Sequence, residues 1–188
     1  MKLARKKALT IGLFLLLFRF HAQVAGVFAI PNDFPTIAAA INTLNAMGVA
    51  GHVTINISAG HTETATAGGL RLLNVAGTSF TSQIVFRKNG SGANPLVIAH
   101  TGTATPTSSV QDGIWMLAGT DFVTIDGIDL LDSNAGGNAM MEFGYGLYKV
   151  NAADWCQYNT IKNCVITLNR NNVISPPLSF VPGGVKRY

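Results

Sequence analysis

Charged residues are scarce in this chain: only 12% of its 188 residues are Asp, Glu, Lys or Arg. Five of the 13 basic residues precede Gln23, and none of the nine acidic residues does. The chain from Gln23 onward therefore carries a net charge of −1, and the basic isoelectric point of the whole sequence belongs to its first residues. No basic patch interleaved with aromatic residues remains, so we expect no nucleic-acid partner.

The sequence also lacks an apolar run long enough to span a bilayer, which needs about 20 residues. The run at residues 8–18 follows a basic segment and is typical of a secretory signal peptide with cleavage after Ala22. An uncleaved membrane anchor is the alternative. We therefore expect residues 1–22 to be a signal peptide. The mature protein is then secreted, extracellular or at the cell surface, with no membrane partner.

Motifs of several reaction classes are absent. There is no His-Glu-x-x-His zinc motif, no Gly-x-Ser-x-Gly nucleophile elbow and no phosphate-binding loop. His52, His61 and His100 are too scattered to predict a metal site, and we interpret them as turn or surface residues. Cysteine is rare as well. Cys156 and Cys164 are either paired in a disulfide, which the environment of an exported protein permits, or two free thiols.

Two segments of the chain are versions of each other: residues 124–134 align with residues 160–170. Each begins with Thr-Ile, turns at a short polar step, continues as a short apolar strand and ends in polar residues. A repeated strand-turn-strand unit of this kind is typical of a stacked β-solenoid. The alignment also places Lys162 one repeat away from Asp126, which predicts a contact between these two side chains.

One amphipathic helix is predicted at residues 35–47, with Asp33 as its cap and Gly48 just past its end. Its apolar face consists of Ile37, Ile41 and Leu44. After the helix, residues 53–58 alternate strictly between apolar and polar, as a half-buried strand does. Further strands, separated by turns rich in Gly and Asn, are predicted at 70–75, 84–87, 96–100, 114–117, 122–125, 128–131, 147–150 and 165–168. A βαβ fold does not fit this order, whereas a sandwich remains an alternative.

These segments resemble a known superfamily. Asp33-Phe34-Pro35-Thr36-Ile37-Ala38-Ala39-Ala40-Ile41-Asn42, followed by residues 53–60, resembles the N-terminal cap and first coil of pectin lyase-like proteins. Gly60-His61-Thr62-Glu63 occupies the place where pectinesterases have a short segment ending in Glu. Residues 121–128 resemble the recurring coil of large bacterial secreted and surface proteins. The resemblance covers residues 30–172 and implies an all-β fold, a right-handed parallel β-helix (solenoid) with an N-terminal capping helix.

The predicted domain organisation follows from this resemblance. Residues 23–175 are expected to be the N-terminal part of the β-helix domain, and residues 176–188 an irregular or truncated tail in which Pro and Gly break the strand pattern. Solenoids need caps at both ends, and the sequence shows no cap after the last strand. We therefore expect a fragment that is incomplete at its C-terminus and whose partner is the remainder of a longer chain.

Acidic residues cluster at Asp121, Asp126, Asp129 and Asp132. Polysaccharide lyases of the superfamily hold calcium with Asp residues on the outer face of a coil, so the resemblance implies a calcium (Ca2+) or glycan contact at Asp126, Asp129 and Asp132, with Lys162 beside them. The alternative is that these residues form turns and outward strand positions, with a surface salt bridge between Asp126 and Lys162. Aromatic residues offer either a sugar-stacking surface or core packing; they are Trp115, Phe122, Phe143, Tyr145, Tyr148, Trp155 and Tyr158.

We expect a non-catalytic function: a structural, adhesin-like or glycan-binding β-helix module whose partner is a polysaccharide or a cell-surface glycan. The alternative is the N-terminal fragment of a polysaccharide-degrading enzyme, pectate lyase-like or pectinesterase-like, and a third is a truncated product without activity. The pectinesterase motifs are missing apart from the dipeptide Asp121-Phe122. If the chain belongs to an enzyme, we expect Asp together with Lys or Arg on one exposed face across adjacent coils. If it is a structural module, we expect Asn, Thr and Gly on that face.

Overall fold

A computed structural model describes residues 23–103, 112–135, 141–169 and 178–180. Within these ranges the chain forms one α-helix, α1 (Ile37–Met47), and thirteen β-strands. The strands are β1 (Val24–Ile30), β2 (Val49–Ser58), β3 (Thr62–Thr64), β4 (Leu70–Leu73), β5 (Ile84–Asn89), β6 (Leu96–Ile98), β7 (Gly113–Ala118), β8 (Val123–Asp126), β9 (Asp129–Leu131), β10 (Phe143–Tyr148), β11 (Thr160–Lys162), β12 (Ile166–Thr167) and β13 (Leu178–Phe180). The predicted signal peptide lies outside the described residues.

The strands lie in three parallel sheets. Sheet A has the order β1-β2-β5-β8-β11, sheet B the order β3-β6-β9-β12 and sheet C the order β4-β7-β10-β13. After β1 and α1 the chain enters sheets A, B and C in turn, so three consecutive strands make one structural repeat. The four repeats are β2–β4, β5–β7, β8–β10 and β11–β13. The prediction of an all-β fold with one N-terminal helix is therefore confirmed for the described part of the chain.

The predicted internal repeat matches the register of the sheets. Thr124 pairs with Thr160 in sheet A, and β9 pairs with β12 in sheet B with the same alignment. The turn between these strands has a left-handed residue at the same place in both repeats, Gly127 with φ 70° and Asn163 with φ 56°. Glycine adopts this conformation without strain and Asn at little cost, which explains the polar step in both segments.

The helix prediction is confirmed, with one correction at its start. Thr36, not Asp33, is the N-cap: its Oγ1 accepts a hydrogen bond from Ala39 N at 3.1 Å. Asp33 instead accepts a hydrogen bond from Ala29 N at 2.7 Å, because the chain turns back on β1 before the helix begins. Gly48 ends the helix at φ 68°, as predicted. No helix in the described ranges is long and apolar enough to cross a membrane.

Three strands lie outside both the predicted strands and the predicted repeat: β1, β3 and β13. Strand β3 has only three residues, too few for an alternating pattern to be recognised. Strand β13, Leu178–Phe180, lies within residues 176–188, for which the sequence predicts an irregular or truncated tail. Its backbone pairs in parallel with β10, a partner that a local sequence pattern does not reveal.

The core consists of inward-facing side chains from all three sheets. Phe86 of sheet A meets Trp115 of sheet C edge to face, with ring centroids 5.2 Å apart. Tyr145 of the next repeat lies 5.9 Å from Trp115, and its hydroxyl donates to Ile128 O at 2.9 Å. Phe143 is buried as well, so core packing is the correct alternative for Trp115, Phe143 and Tyr145.

Candidate functional site

The outward side chains of sheet A form rows that cross neighbouring strands. In β8, Val123 and Ile125 are buried whereas Thr124 and Asp126 face outward and are half-buried. Because the strands are in register, each outward residue has counterparts on the adjacent strands. The first row is Thr54, Val85, Thr124 and Thr160, of which Thr54 is buried. The second, which we call the charged row, is Asn56, Arg87, Asp126 and Lys162.

The charged row is linked by direct side-chain contacts. Lys162 Nζ lies 3.3 Å from Asp126 Oδ2, which confirms the contact predicted from the repeat. Asn163 Nδ2 donates to Asp126 Oδ1 at 2.7 Å, and this hydrogen bond, helped by Lys162 and Arg87, lowers the pKa of Asp126. Arg87 Nε donates to Asn56 Oδ1 at 2.8 Å. The sequence does not single out Arg87, because this residue lies outside the two aligned segments.

Asp129 and Asp132 do not join the charged row. Asp129 Oδ1 accepts hydrogen bonds from Asn94 Nδ2 and Val165 N, both at 2.8 Å. Asp132 is 5% exposed and accepts from Met141 N at 2.9 Å. Both carboxylates therefore fix loops and turns. The physical reason is the corner between sheets A and B: Asp126 ends β8 before this corner, whereas Asp129 begins β9 after it and Asp132 directly follows β9.

Asp121 lies at a different corner, directly before Phe122 and the start of β8. Its Oδ1 accepts a hydrogen bond from Gln157 N at 2.5 Å, and burial, reinforced by the nearby charge of Asp154, raises its pKa. Each of the four acidic residues of the predicted cluster thus has its own hydrogen-bond partners. Among the described residues, no group of three or more His, Cys, Asp or Glu is arranged to hold a metal ion.

The two cysteines are free thiols, so the disulfide alternative is wrong and the free-thiol alternative is correct. Each has its own partners. Cys156 Sγ donates to Leu117 O and Tyr148 O, both at 3.2 Å, and burial raises its pKa. Cys164 Sγ accepts from the Tyr145 hydroxyl at 3.9 Å. Cys164 is half-buried because it lies in the fourth repeat, at the edge of the described core.

The described residues include three histidines, which lie in three different environments. His52 is exposed, as a turn or surface residue is expected to be. His61 Nε2 lies 2.9 Å from Glu63 Oε2 and is half-buried. His100 is buried, with Nδ1 2.8 Å from Thr101 O, so the surface interpretation is wrong for this residue. His100 is the second residue after β6, and the residue before it, Ala99, still donates a backbone hydrogen bond to Leu131 of β9 in sheet B.

Glu63 is a structural residue that the sequence indicates only through the Gly60-His61-Thr62-Glu63 segment. Its carboxylate is buried and accepts hydrogen bonds from Ile37 N at 2.6 Å and Ala38 N at 3.2 Å. These are two of the free N–H groups in the first turn of α1. Glu63 therefore attaches the helix to β3, and His61 contacts the same carboxylate.

A group of aromatic side chains lies at the corner where the chain passes from sheet C to sheet A. Phe122 is the residue directly before β8, and Tyr158 lies two positions before the start of β11. Their rings stack with centroids 4.7 Å apart and planes inclined by 12°. Tyr158 is 69% exposed. Phe80, in the segment that leads into β5 one repeat earlier, is 79% exposed.

Comparisons with protein families, with curated proteins and with solved structures give no match for this chain. The resemblance to pectin lyase-like proteins therefore stays a prediction, and function has to be inferred from the site. The charged row and the first row, which contains Thr124, together offer hydroxyl groups, two cations and one carboxylate. They lack the paired carboxylates that glycoside hydrolysis uses, and their chemistry is that of hydrogen bonding and ion pairing.

Proposed function

We propose that this chain is part of a secreted or cell-surface, right-handed parallel β-helix that binds or presents glycans on the outer face of sheet A. The observation that carries the glycan-binding proposal is the charged row, with polar side chains at the same register on four neighbouring strands. In each repeat the chain enters the three parallel sheets in the same order. This order supports the β-helix, because stacking one such repeat on the next buries a continuous core.

Binding accounts for the state of Asp126 better than catalysis does. Its carboxylate is held by Asn163 and Lys162, and these contacts lower its pKa, so the folded protein favours the ionised form. A general acid needs the opposite, a pKa raised towards the working pH. An ionised carboxylate between two cations instead supplies fixed acceptors and donors, which is what a binding face for sugar hydroxyl groups needs.

A polysaccharide-degrading enzyme is the second candidate, and one observation favours it. Arg87, Asp126 and Lys162 lie side by side on one exposed face and belong to three adjacent repeats. This is the arrangement that an enzyme predicts, and a lyase would use Arg or Lys as its base. A lyase of that type also needs several carboxylates for calcium, and among the described residues Asp126 has no such neighbours.

The test is a titration of the full-length secreted protein with soluble polysaccharides, in which binding and product formation are both followed. A neutral β-glucan, a galactan and polygalacturonate are suitable probes, with isothermal titration calorimetry for binding and assays for reducing ends and unsaturated sugars. Binding without new ends supports the glycan-binding module. New ends support the enzyme, and failure to bind any of the three probes contradicts both proposals.

Arg87→Gln tests whether the charged row is the binding face. We expect the affinity for the bound polysaccharide to fall at least about tenfold, because a hydrogen bond to a charged group contributes roughly 1.5–3 kcal/mol and about 1.4 kcal/mol corresponds to a factor of ten. Arg71→Gln is the matched control: it removes the same charge from β4 in sheet C, on another face. Equal loss in both variants would indicate a general charge effect and contradict the assignment to sheet A.

A further inference from the structure

Three dipeptides of this sequence have an Asn or Asp followed directly by Gly: Asn89-Gly90, Asp112-Gly113 and Asp126-Gly127. In such a dipeptide the backbone nitrogen of the glycine is able to attack the carbonyl carbon of the preceding side chain and close a five-membered ring. Glycine favours this reaction because it has no side chain to hinder the approach. Whether the ring forms depends on how firmly the fold holds the two residues, and in this respect the three dipeptides differ.

Both Asp-Gly dipeptides are fixed by the neighbouring repeat. In Asp126-Gly127 the glycine N–H donates a hydrogen bond to Lys162 O at 3.0 Å, so the nitrogen that would attack is already held. Asp112-Gly113 is buried, and the ring of Phe143 lies so close to the glycine that an added Cβ would overlap it. Ring closure at either place requires contacts between repeats to open. We therefore expect both Asp-Gly dipeptides to stay intact in the folded protein.

Asn89-Gly90 lies in a more open place, at the end of β5 and the start of the turn that leads to β6. Residues 89–93 are all exposed. Among the described residues, no hydrogen-bond partner holds the side-chain amide of Asn89 or the N–H of Gly90. The backbone carbonyl of Asn89 accepts one hydrogen bond, from Ala59 N at 2.9 Å. The restraint on this dipeptide is thus a single bond at a strand end, and such bonds open at low cost in free energy.

We propose that Asn89-Gly90 is a site of spontaneous covalent modification, at which Asn89 is converted to aspartate and isoaspartate. The Gly90 nitrogen forms a bond to Asn89 Cγ and gives up its proton, the bond from Cγ to Nδ2 breaks, and Nδ2 leaves as ammonia with that proton. Water then opens the ring. Its attack at Cγ gives aspartate, and its attack at the backbone carbonyl carbon gives isoaspartate. The reaction needs only water and is independent of the proposed glycan-binding function.

The two products affect the stacking of repeats differently. Isoaspartate lengthens the main chain by one carbon atom, because the chain then passes through Cβ and Cγ. The lengthened segment lies where two turns of adjacent repeats are joined by the bond from Ala59 N to Asn89 O and by one from Gly60 N to Ala93 O at 3.0 Å. We therefore expect isoaspartate to loosen this contact, whereas aspartate only adds a negative charge next to Lys88.

The test incubates the folded, full-length protein at mildly alkaline pH, where ring closure is faster because the attacking nitrogen has to lose its proton. Peptide mapping by liquid chromatography and mass spectrometry then follows the mass change from amide to acid. We expect two separable acidic products at Asn89. Asn56 is the internal control, because it is half-buried in β2 and its side chain accepts a hydrogen bond from Arg87 at 2.8 Å. Conversion of Asn89 no faster than that of Asn56, or isoaspartate at Asp126, would overturn the proposal.

Two variants test the route. Gly90→Ala places a methyl group on the attacking residue and should slow the conversion at least about tenfold, which corresponds to a barrier about 1.4 kcal/mol higher. Since alanine is strained at the φ of 92° found here, Asn89→Gln is the second variant. It keeps an exposed amide, but its ring would have six members, so we expect the amide to persist. Undiminished conversion in either variant, with a melting curve that shows it to be folded, would contradict the attack by Gly90.

Asn89→Asp separates the added charge from the longer main chain. It carries the new carboxylate on an unaltered backbone, so we expect it to melt at the same temperature as the fresh protein. Incubated protein in which isoaspartate predominates should melt at a lower temperature than both. Equal melting temperatures for all three samples would show that the turn of residues 90–93 does not support the stacking of these repeats.

Discussion

Single carboxylates connect parts of this chain that are far apart in the sequence. Glu63 of β3 holds the first turn of α1, and Asp129 accepts hydrogen bonds from Asn94 in one repeat and Val165 in another. Each bond joins segments that the stacking of repeats has already brought together. With only nine acidic residues in the chain, most of the carboxylates in the described part are committed to such structural hydrogen bonds.

Asp126→Asn should lower the free energy of unfolding by at most about 1 kcal/mol at neutral pH, since the side chain is 30% exposed and its ion pair is screened. The lowered pKa means that the folded protein favours the ionised form. Its contribution is fully present above the ordinary value of 3.8 and is lost as the pH falls through the lower folded-state pKa. Urea denaturation of the unmodified protein and of Asp126→Asn at about pH 7 and about pH 3 checks this prediction. A difference in the free energy of unfolding that is larger at about pH 3 than at about pH 7 would contradict it.

The residues of the charged row differ in how far the sequence predicts them. The pair of Lys162 and Asp126 follows from two similar segments, because similar segments stack in register. Arg87 lies in a repeat whose sequence has diverged, so its neighbour in sheet A is apparent only from the strand pairing. The calcium or glycan contact predicted for Asp126, Asp129 and Asp132 stays a prediction, and in the structure the three carboxylates have different hydrogen-bond partners.

At the scale of elements, α1 covers an open edge as well as the end of the core. Strand β4 is at the edge of sheet C, where unpaired backbone groups would accept another chain. Asn45 of α1 satisfies this edge: its Nδ2 donates to Arg71 O at 2.7 Å, and its Oδ1 accepts from Leu73 N at 3.0 Å. An amide side chain carries both a donor and an acceptor, so it replaces a neighbouring strand.

Asn45→Ala is expected to lower the free energy of unfolding by about 1–2 kcal/mol, because two backbone groups of β4 lose their partner. It should also promote concentration-dependent self-association through the uncovered edge. Asn42→Ala, an exposed position on the same helix, is the matched control. Urea denaturation and sedimentation velocity measure the two effects. A stable, monomeric Asn45→Ala variant would mean that the helix protects the edge by packing alone.

At the scale of the whole molecule, stability comes from one core that continues through the repeats. Phe86 contacts Trp115 within its own repeat, and Trp115 contacts Tyr145 of the next repeat. The buried residues form one cluster that includes side chains of all three sheets and of α1. In such a stack each repeat is stabilised by its neighbours, so damage to one repeat is transmitted to the next.

Phe86→Ala should therefore lower the free energy of unfolding by about 3–5 kcal/mol, the usual loss for a large aromatic side chain removed from a packed core. Val27→Ala, at an exposed position on β1 in the same sheet, should change it by no more than about 0.5 kcal/mol. Hydrogen exchange provides the sharper readout: protection should fall in β2 and β8, the two neighbours of β5, as well as in β5 itself. Loss confined to β5 would contradict a continuous core.

Local patterns in this sequence account for α1, most of the strands and the stacking of residues 124–134 on 160–170, because helix and strand periodicity and turn residues depend on neighbours along the chain. The site depends on contacts of another kind. The charged row, the Glu63 attachment of α1 and the stack of Phe122 on Tyr158 each join residues from different repeats or elements. Their positions follow from strand register and from the corners between sheets, which arise when apolar faces are buried together and which no short stretch of sequence contains.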